Sequence, residues 1–172
     1  IRPEKARVRD RMEWIRREME RRGDVGRAAG AYALGRGYLA LQKFPQARAR
    51  LQEAWDLGYR TPEAAYALGR ASGALYQRAL EETNRIQNPE LRLARRQEIE
   101  RLYRAPALLR LREAGDGGQD VPLYGEALVA FYEQHWDAAL DSLAAARRDA
   151  PWSYDLPLLE GDIPLTRARL DR

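Results

Sequence analysis

The chain has no cysteine, a single histidine (His135), two methionines, two phenylalanines and only two lysines, Lys5 and Lys43, among its 30 basic residues. Without cysteine there is no disulfide framework, no thiolate metal ligand and no cysteine nucleophile. The absence fits a reducing compartment, so a cytoplasmic protein is expected. A serine triad would have to use His135, and no nucleophile elbow accompanies it. His135 is followed by Asp137 and Asp141, but it lies in what reads as a turn. A solvated turn residue is expected there, with no metal and no cofactor. No apolar run approaches the ~20 residues of a membrane span, and no signal-peptide pattern opens the chain. The chain begins at Ile1 rather than methionine and is expected to be a fragment of something longer.

What is present is alanine, arginine and repetition. The net charge of +4 resides in residues 1–22, where nine basic side chains face five acidic ones. Beyond that segment the signs alternate and balance, the pattern of solvated helix faces. The string Tyr32-Ala33-Leu34-Gly35-Arg36 returns as Tyr66-Ala67-Leu68-Gly69-Arg70, an offset of 34 residues. A second signature, Ala-x3-Leu-x2-Ala, occurs as Ala47/Leu51/Ala54, Ala107/Leu111/Ala114 and Ala139/Leu143/Ala146. Each triplet falls on one face of a helix. A glycine inside a helix costs ~1 kcal/mol relative to alanine. Its recurrence at one phase therefore places Gly35 and Gly69 where two helices touch, with Tyr38 and Leu51 filling the space beside the first. Phe44-Pro45-x-Ala47 resembles Trp136-Asp137-x-Ala139, as though one turn were used twice. Thr61-Pro62 and Asn88-Pro89 each join an N-cap residue to a first-turn proline. Gly58, Gly115 and Pro151 read as stop signals.

These signals predict one all-α domain over residues 1–172, built as a helical-repeat solenoid of antiparallel helix pairs. An amphipathic helix occupies 1–26, with Val8, Met12, Ile15 and Met19 on one stripe. The first repeat covers 27–61, with helices near 27–41 and 45–57. The second covers 62–121. Its signature alanine is due at 81 and appears at 107, so 26 residues are extra. They are read as an inserted helical arm at about 79–104: the first helix prolonged to about residue 87, then an extra helix near 89–103. The third repeat covers 122–152, and 153–172 forms the first helix of an incomplete fourth.

The 34-residue period, with Leu34-Gly35, Tyr38, Ala47 and Ala54, resembles the tetratricopeptide repeat, with Leu51 in place of the usual aromatic and Ala31 in place of the usual tryptophan. A narrower resemblance spans nearly the whole chain. The basic helix, the doubled Tyr-Ala-Leu-Gly-Arg, then Asn88-Pro89-Glu90-Leu91, Tyr103-Arg104-x-Pro106-Ala107-Leu108 and Leu159-Glu160-Gly161-Asp162-Ile163 are similar to the region following the catalytic domain in some bacterial serine/threonine protein kinases. That implies a regulatory or partner-recruiting module. No kinase catalytic residue carries over, because no kinase motif is present, and the chain is expected not to be an enzyme.

In tetratricopeptide modules the first helices of successive repeats line a concave groove. The resemblance places Tyr32 and Arg36, Tyr66 and Arg70, and Tyr124, Leu128 and Phe131 along it. Tyrosine and arginine are enriched in binding hot spots, and a guanidinium forks onto carboxylates. The expected partner is a protein or peptide segment, possibly acidic; the alternative is that these tyrosines pack against neighbouring helices and the arginines are solvated. The lysine and asparagine of the family's carboxylate clamp are missing. Two other functions compete: a nucleic-acid-binding helical repeat, disfavoured by repeats of balanced charge, and a self-association module using the N-terminal helix or the arm. Gly35-Arg36-Gly37-x-x-Ala40 imitates a dinucleotide fingerprint, but it lies within a helix rather than after a strand.

Overall fold

The computed structural model describes residues 3–22, 26–118, 121 and 123–171. Among these residues every regular element is helical: α1 (Pro3–Arg22), α2 (Arg27–Ala40), α3 (Phe44–Asp56), α4 (Pro62–Thr83), α5 (Pro89–Ile99), α6 (Ala105–Ala114), α7 (Tyr124–Tyr132), α8 (Trp136–Asp149) and α9 (Asp155–Leu170). A five-residue π turn, Glu100–Arg104, joins α5 to α6 without a break. No helix among the described residues is long and apolar enough to cross a membrane.

The caps form as their residue types dictate. Thr61 Oγ1 accepts from the Ala64 amide at 3.2 Å, and Asn88 Oδ1 accepts from the amides of Glu90 and Leu91 at 2.9 and 3.0 Å. Gly58 closes α3 at φ +92°, donating to Trp55 O while Tyr59 donates to Ala54 O. That crossed pair of bonds satisfies carbonyls the helix end would otherwise leave open. The same closure ends α2 at Gln42 and α7 at Gln134, both at positive φ without being glycine. The likeness seen between Phe44-Pro45 and Trp136-Asp137 therefore extends to the backbone preceding each.

Packing follows from where the small residues stand. α2 and α3 run antiparallel: Arg27 near the start of α2 pairs with Glu53 near the end of α3, at 3.2 Å. Between them a Cβ at Gly35 would lie 2.5 Å from Leu51 Cγ, 2.8 Å from its Cδ2 and 3.1 Å from its amide nitrogen. A Cβ at Gly69 would meet the same three atoms of Leu111 at 2.8, 3.0 and 3.1 Å. Thus α4 and α6 repeat the contact of α2 and α3. The other glycines of α2 serve its opposite side, where Gly30 faces Met19 and Gly37 faces Met12 of α1. The methionine stripe of α1 is therefore turned onto α2.

α4 is the axis of the molecule. Its residues Ala64, Ala65, Ala67, Gly69, Ala71, Ser72 and Gly73 are all buried. With so little side chain in the way, α2, α3, α5, α6 and α9 all pack on it. The 26 extra residues lengthen this central hairpin. α4 stops at Thr83 rather than 87, and α5 runs on through the π turn into α6 where a separate helix was expected. Nor does the segment stand clear of the body. Leu80, Thr83 and Ile99 are buried, and Arg96 donates to the terminal carbonyls of Arg169 and Leu170 on α9 at 2.6 and 3.1 Å. The π turn has a local cause. Pro106 has no N–H for the carbonyl of Leu102 four residues earlier, and its ring crowds that carbonyl. The helix widens there, and Arg48 of α3 donates to Leu102 O instead, at 3.3 Å.

Gly→Ala normally stabilises a helix interior by ~1 kcal/mol. Here Gly35→Ala and Gly69→Ala reverse that sign, each losing ~1–3 kcal/mol to overpacking, while Gly161→Ala in α9, where nothing lies within 4 Å of the added carbon, gains ~0.5–1 kcal/mol. Urea denaturation of the three variants reads the signs directly. Leu51→Ala combined with Gly35→Ala costs less than the sum of the two, because each removes the other's clash.

Candidate functional site

A groove of about 570 Å³ opens between α2, α4, α7 and α9. Six of the seven residues expected from the sequence line it: Arg36, Tyr66, Arg70, Tyr124, Leu128 and Phe131. Tyr32 does not. Its ring stacks on Tyr59 at 4.8 Å, because the closure of α3 at Gly58 brings Tyr59 back over the start of the hairpin. Its hydroxyl still reaches the site indirectly, accepting from Arg36 Nη1 at 2.9 Å.

The doubled Tyr-Ala-Leu-Gly-Arg string yields the same local object twice. In each copy the guanidinium carbon lies 5.9 Å from the centre of the tyrosine ring one turn earlier, Arg36 over Tyr32 and Arg70 over Tyr66. Their surroundings then diverge. Arg36 is exposed on the rim. Arg70 also lies 5.6 Å from the ring of Tyr124 and faces Asp155 of α9, Nη1 to Oδ2 at 3.4 Å. Burial works against the Arg70 charge, but the facing oxygens of Tyr124, Tyr66 and Asp155 outweigh it and hold the guanidinium pKa above its ordinary value. The expectation of two arginines open to an acidic partner is altered at Arg70, which already has a carboxylate from its own chain; Arg36 has none in the groove and donates to Tyr32.

Among the lining residues that the sequence reading did not assign to the groove are three polar ones. Asp155 and Asp162 come from α9, and Gln77 comes from the third turn of α4 beyond Tyr66. Gln77 Oε1 accepts from Thr166 Oγ1 at 2.9 Å, while its Nε2 is buried with no hydrogen-bond partner among the described residues. Burial raises the Asp162 carboxyl above its usual range, with Arg169 opposing. The two arginines and two aspartates leave the groove without net charge. Its middle, formed by Leu128, Phe131 and Leu159, is apolar.

The floor is held rigidly. Arg104 donates to Tyr132 O at the end of α7, and Arg112 pairs with Glu133 just beyond it. Tyr76 donates to Glu100 at 2.8 Å, and its ring packs edge-on against Tyr132. His135 lies apart from the groove in the α7–α8 turn, exposed, its Nδ1 3.3 Å from Glu133. Comparison of the chain with protein-family models, with curated proteins and with solved structures finds no match. The described residues thus define an all-helical fold of packed hairpins that carries an amphipathic, charge-balanced groove.

Burial holds the phenols of Tyr76, Tyr124 and Tyr132 above their ordinary value of 10.0, and the bond to Glu100 adds to the effect at Tyr76. In the unfolded chain these phenols lose protons first. Above pH 10 the unfolded state therefore binds fewer protons than the folded one, and stability falls as pH rises, by up to ~1.4 kcal/mol per pH unit for each phenol. Below that pH their contribution is fully present. Urea midpoints from about pH 8 to about pH 11 should show the fall, and Tyr124→Phe should make it shallower.

Proposed function

We propose that this chain is a tetratricopeptide-like protein-interaction module that receives an extended peptide segment in the groove between α2, α4, α7 and α9. The observation that carries the reading is the convergence of Arg36, Tyr66, Arg70, Tyr124, Leu128 and Phe131, from three successive hairpins, on one groove. The stacking of α2–α3, α4–α6 and α7–α8 supports a solenoid, as does the matched contact of Gly35 with Leu51 and Gly69 with Leu111.

The groove's chemistry narrows the partner. It sets the apolar surface of Leu128, Phe131 and Leu159 beside Arg36, which stands exposed on α2, and beside the aspartates on the wall made by α9. A segment with an acidic residue for Arg36 and apolar side chains beyond it suits these groups. The order of motifs along the chain supports a further reading, that this module recruits partners for a serine/threonine protein kinase. The coding sequence upstream of Ile1 tests that: a kinase catalytic domain sustains it and an unrelated domain ends it.

Affinity capture with this chain tests the groove. Arg36→Glu reverses the exposed charge and Ala74→Trp fills the groove, while Arg101→Glu, on the π turn, is the control. A partner held by wild type and Arg101→Glu should be lost by ~10-fold or more in both groove variants, with helicity unchanged by circular dichroism. Undiminished binding by Ala74→Trp rules the groove out.

A further inference from the structure

Arginine in this chain is commonly answered by a glutamate three or four residues away, as in Arg50–Glu53, Arg95–Glu98 and Arg104–Glu100. One place departs from that pattern. A second cavity, of about 420 Å³, opens between α3, α4, α6 and the π turn. It shares no lining residue with the groove. α4 turns Leu68 and Ser72 toward it and Tyr66, Arg70 and Ala74 toward the groove, which are opposite faces of one helix. Every charged residue on its wall is basic: Arg48 from α3, Arg101 from the π turn and Arg110 from α6.

The nearby acids are engaged elsewhere. Glu98 pairs with Arg95, and Glu100 with Arg104. Glu53 pairs with Arg27 and Arg50, and Asp56 accepts from Gln52. Among the described residues Arg48 and Arg101 enter no ion pair, while Arg110 pairs with Glu113, which does not line the cavity. Two of the three guanidiniums are also held in place. Arg48 donates to Leu102 O at 3.3 Å and lies 5.4 Å from the centre of the Tyr103 ring. Arg110 lies 4.1 Å from the centre of the Trp55 ring. A side chain already fixed by a carbonyl or a ring loses little freedom when a ligand arrives. A guanidinium has five N–H groups, so both retain donors beyond these contacts. Ser72, which is buried, and Gln52 add neutral donors to the wall.

The count of cations says what fits. A carboxylate brings one charge and two oxygens. A phosphate monoester brings about two charges and three strong acceptor oxygens. Three forked donors with no acid among them match the second. Around an empty cavity their charges repel one another; a dianion between them reverses the sign.

We propose that this cavity binds a phosphate monoester, with Arg48, Arg101 and Arg110 donating to its oxygens. The same group is carried by a small free phosphate and by a phosphorylated side chain.

Titration calorimetry of the full chain tests this with inorganic phosphate and with the capped tripeptide alanyl-phosphoseryl-alanine. The serine and glutamate forms of the peptide serve as references. The phosphopeptide should bind at one site, the serine form not at all and the glutamate form ~10-fold or more weakly. Tighter binding of the phosphopeptide than of inorganic phosphate assigns the site to a phosphorylated segment; equal affinity assigns it to the free group. Arg48→Gln and Arg101→Glu should each weaken binding by ~10-fold or more. Arg148→Gln, exposed on α8, removes one positive charge elsewhere and should change the affinity less than ~2-fold. Arg48→Gln also loses the bond to Leu102 O, so the exposed Arg101 is the variant that separates binding from folding. Because the two sites share no residue, Arg101→Glu should spare capture by the groove, and a failed groove leaves this titration intact. Absence of binding by either phosphate probe at ~10 mM overturns the proposal. Equal binding of the glutamate and phosphoserine peptides, or affinity unchanged by Arg101→Glu, overturns it as well.

Discussion

Everything in this molecule is arranged around the closeness of two helix backbones at Gly35 and Gly69. The missing Cβ lets the leucine of the facing helix lie across the backbone, its amide nitrogen within 3.1 Å of where that carbon would be. The cost is helix propensity, ~1 kcal/mol per glycine, and the return is burial of Leu51 and Leu111 almost completely. Full burial of a leucine contributes ~1.5–3 kcal/mol, so the exchange favours the contact. The third hairpin makes the same exchange less tightly, with Ala127 at the corresponding position and Leu143 buried on the facing helix. The hairpins are thus graded rather than identical, with glycine at the first two contacts and alanine at the third.

The parts of the fold legible in the sequence are those set by local chemistry. Thr61, Asn88 and Gly58 do in the structure what their types allow in any chain: two cap with a side-chain oxygen and one turns with positive φ. The Ala-x3-Leu-x2-Ala triplets are buried on one face in all three places. What was not legible depends on residues far apart in the chain. The π turn needs Pro106 to remove a donor and Arg48, 54 positions from Leu102, to supply another. A proline two residues into a predicted helix reads locally as a helix start, and nothing nearby says that the preceding helix continues through it. The arm packs against the body for the same kind of reason. Its partners lie on α9, whose distance in sequence hides them.

The groove divides along the same line. Residues from the repeat strings converge because an offset of 34 places equivalent side chains on equivalent faces, and six of seven arrive. Tyr32 is diverted by Tyr59, which is placed by a backbone turn rather than by helical periodicity. Asp155 and Gln77 stood in no motif, and Asp162 only in the string from Leu159 to Ile163, which pointed to no groove. These residues matter most for the ligand's charge, because they turn a basic groove into a neutral one. A sequence reading that counts arginines along one face sees half of the electrostatics; the balancing carboxylates come from a helix 85 residues away.

α9 therefore has three roles at once, and they constrain each other. It buries Leu156, Leu159 and Ile163 to close the core, it presents Asp155 and Asp162 to the groove, and it leaves Leu158 and Leu165 outside. Leu158 belongs to both the groove and the outer face. A carboxylate entering near Arg70 would have to displace Asp155, whose bonds to the guanidinium, at 3.4 and 3.5 Å, are long for a charge-assisted pair.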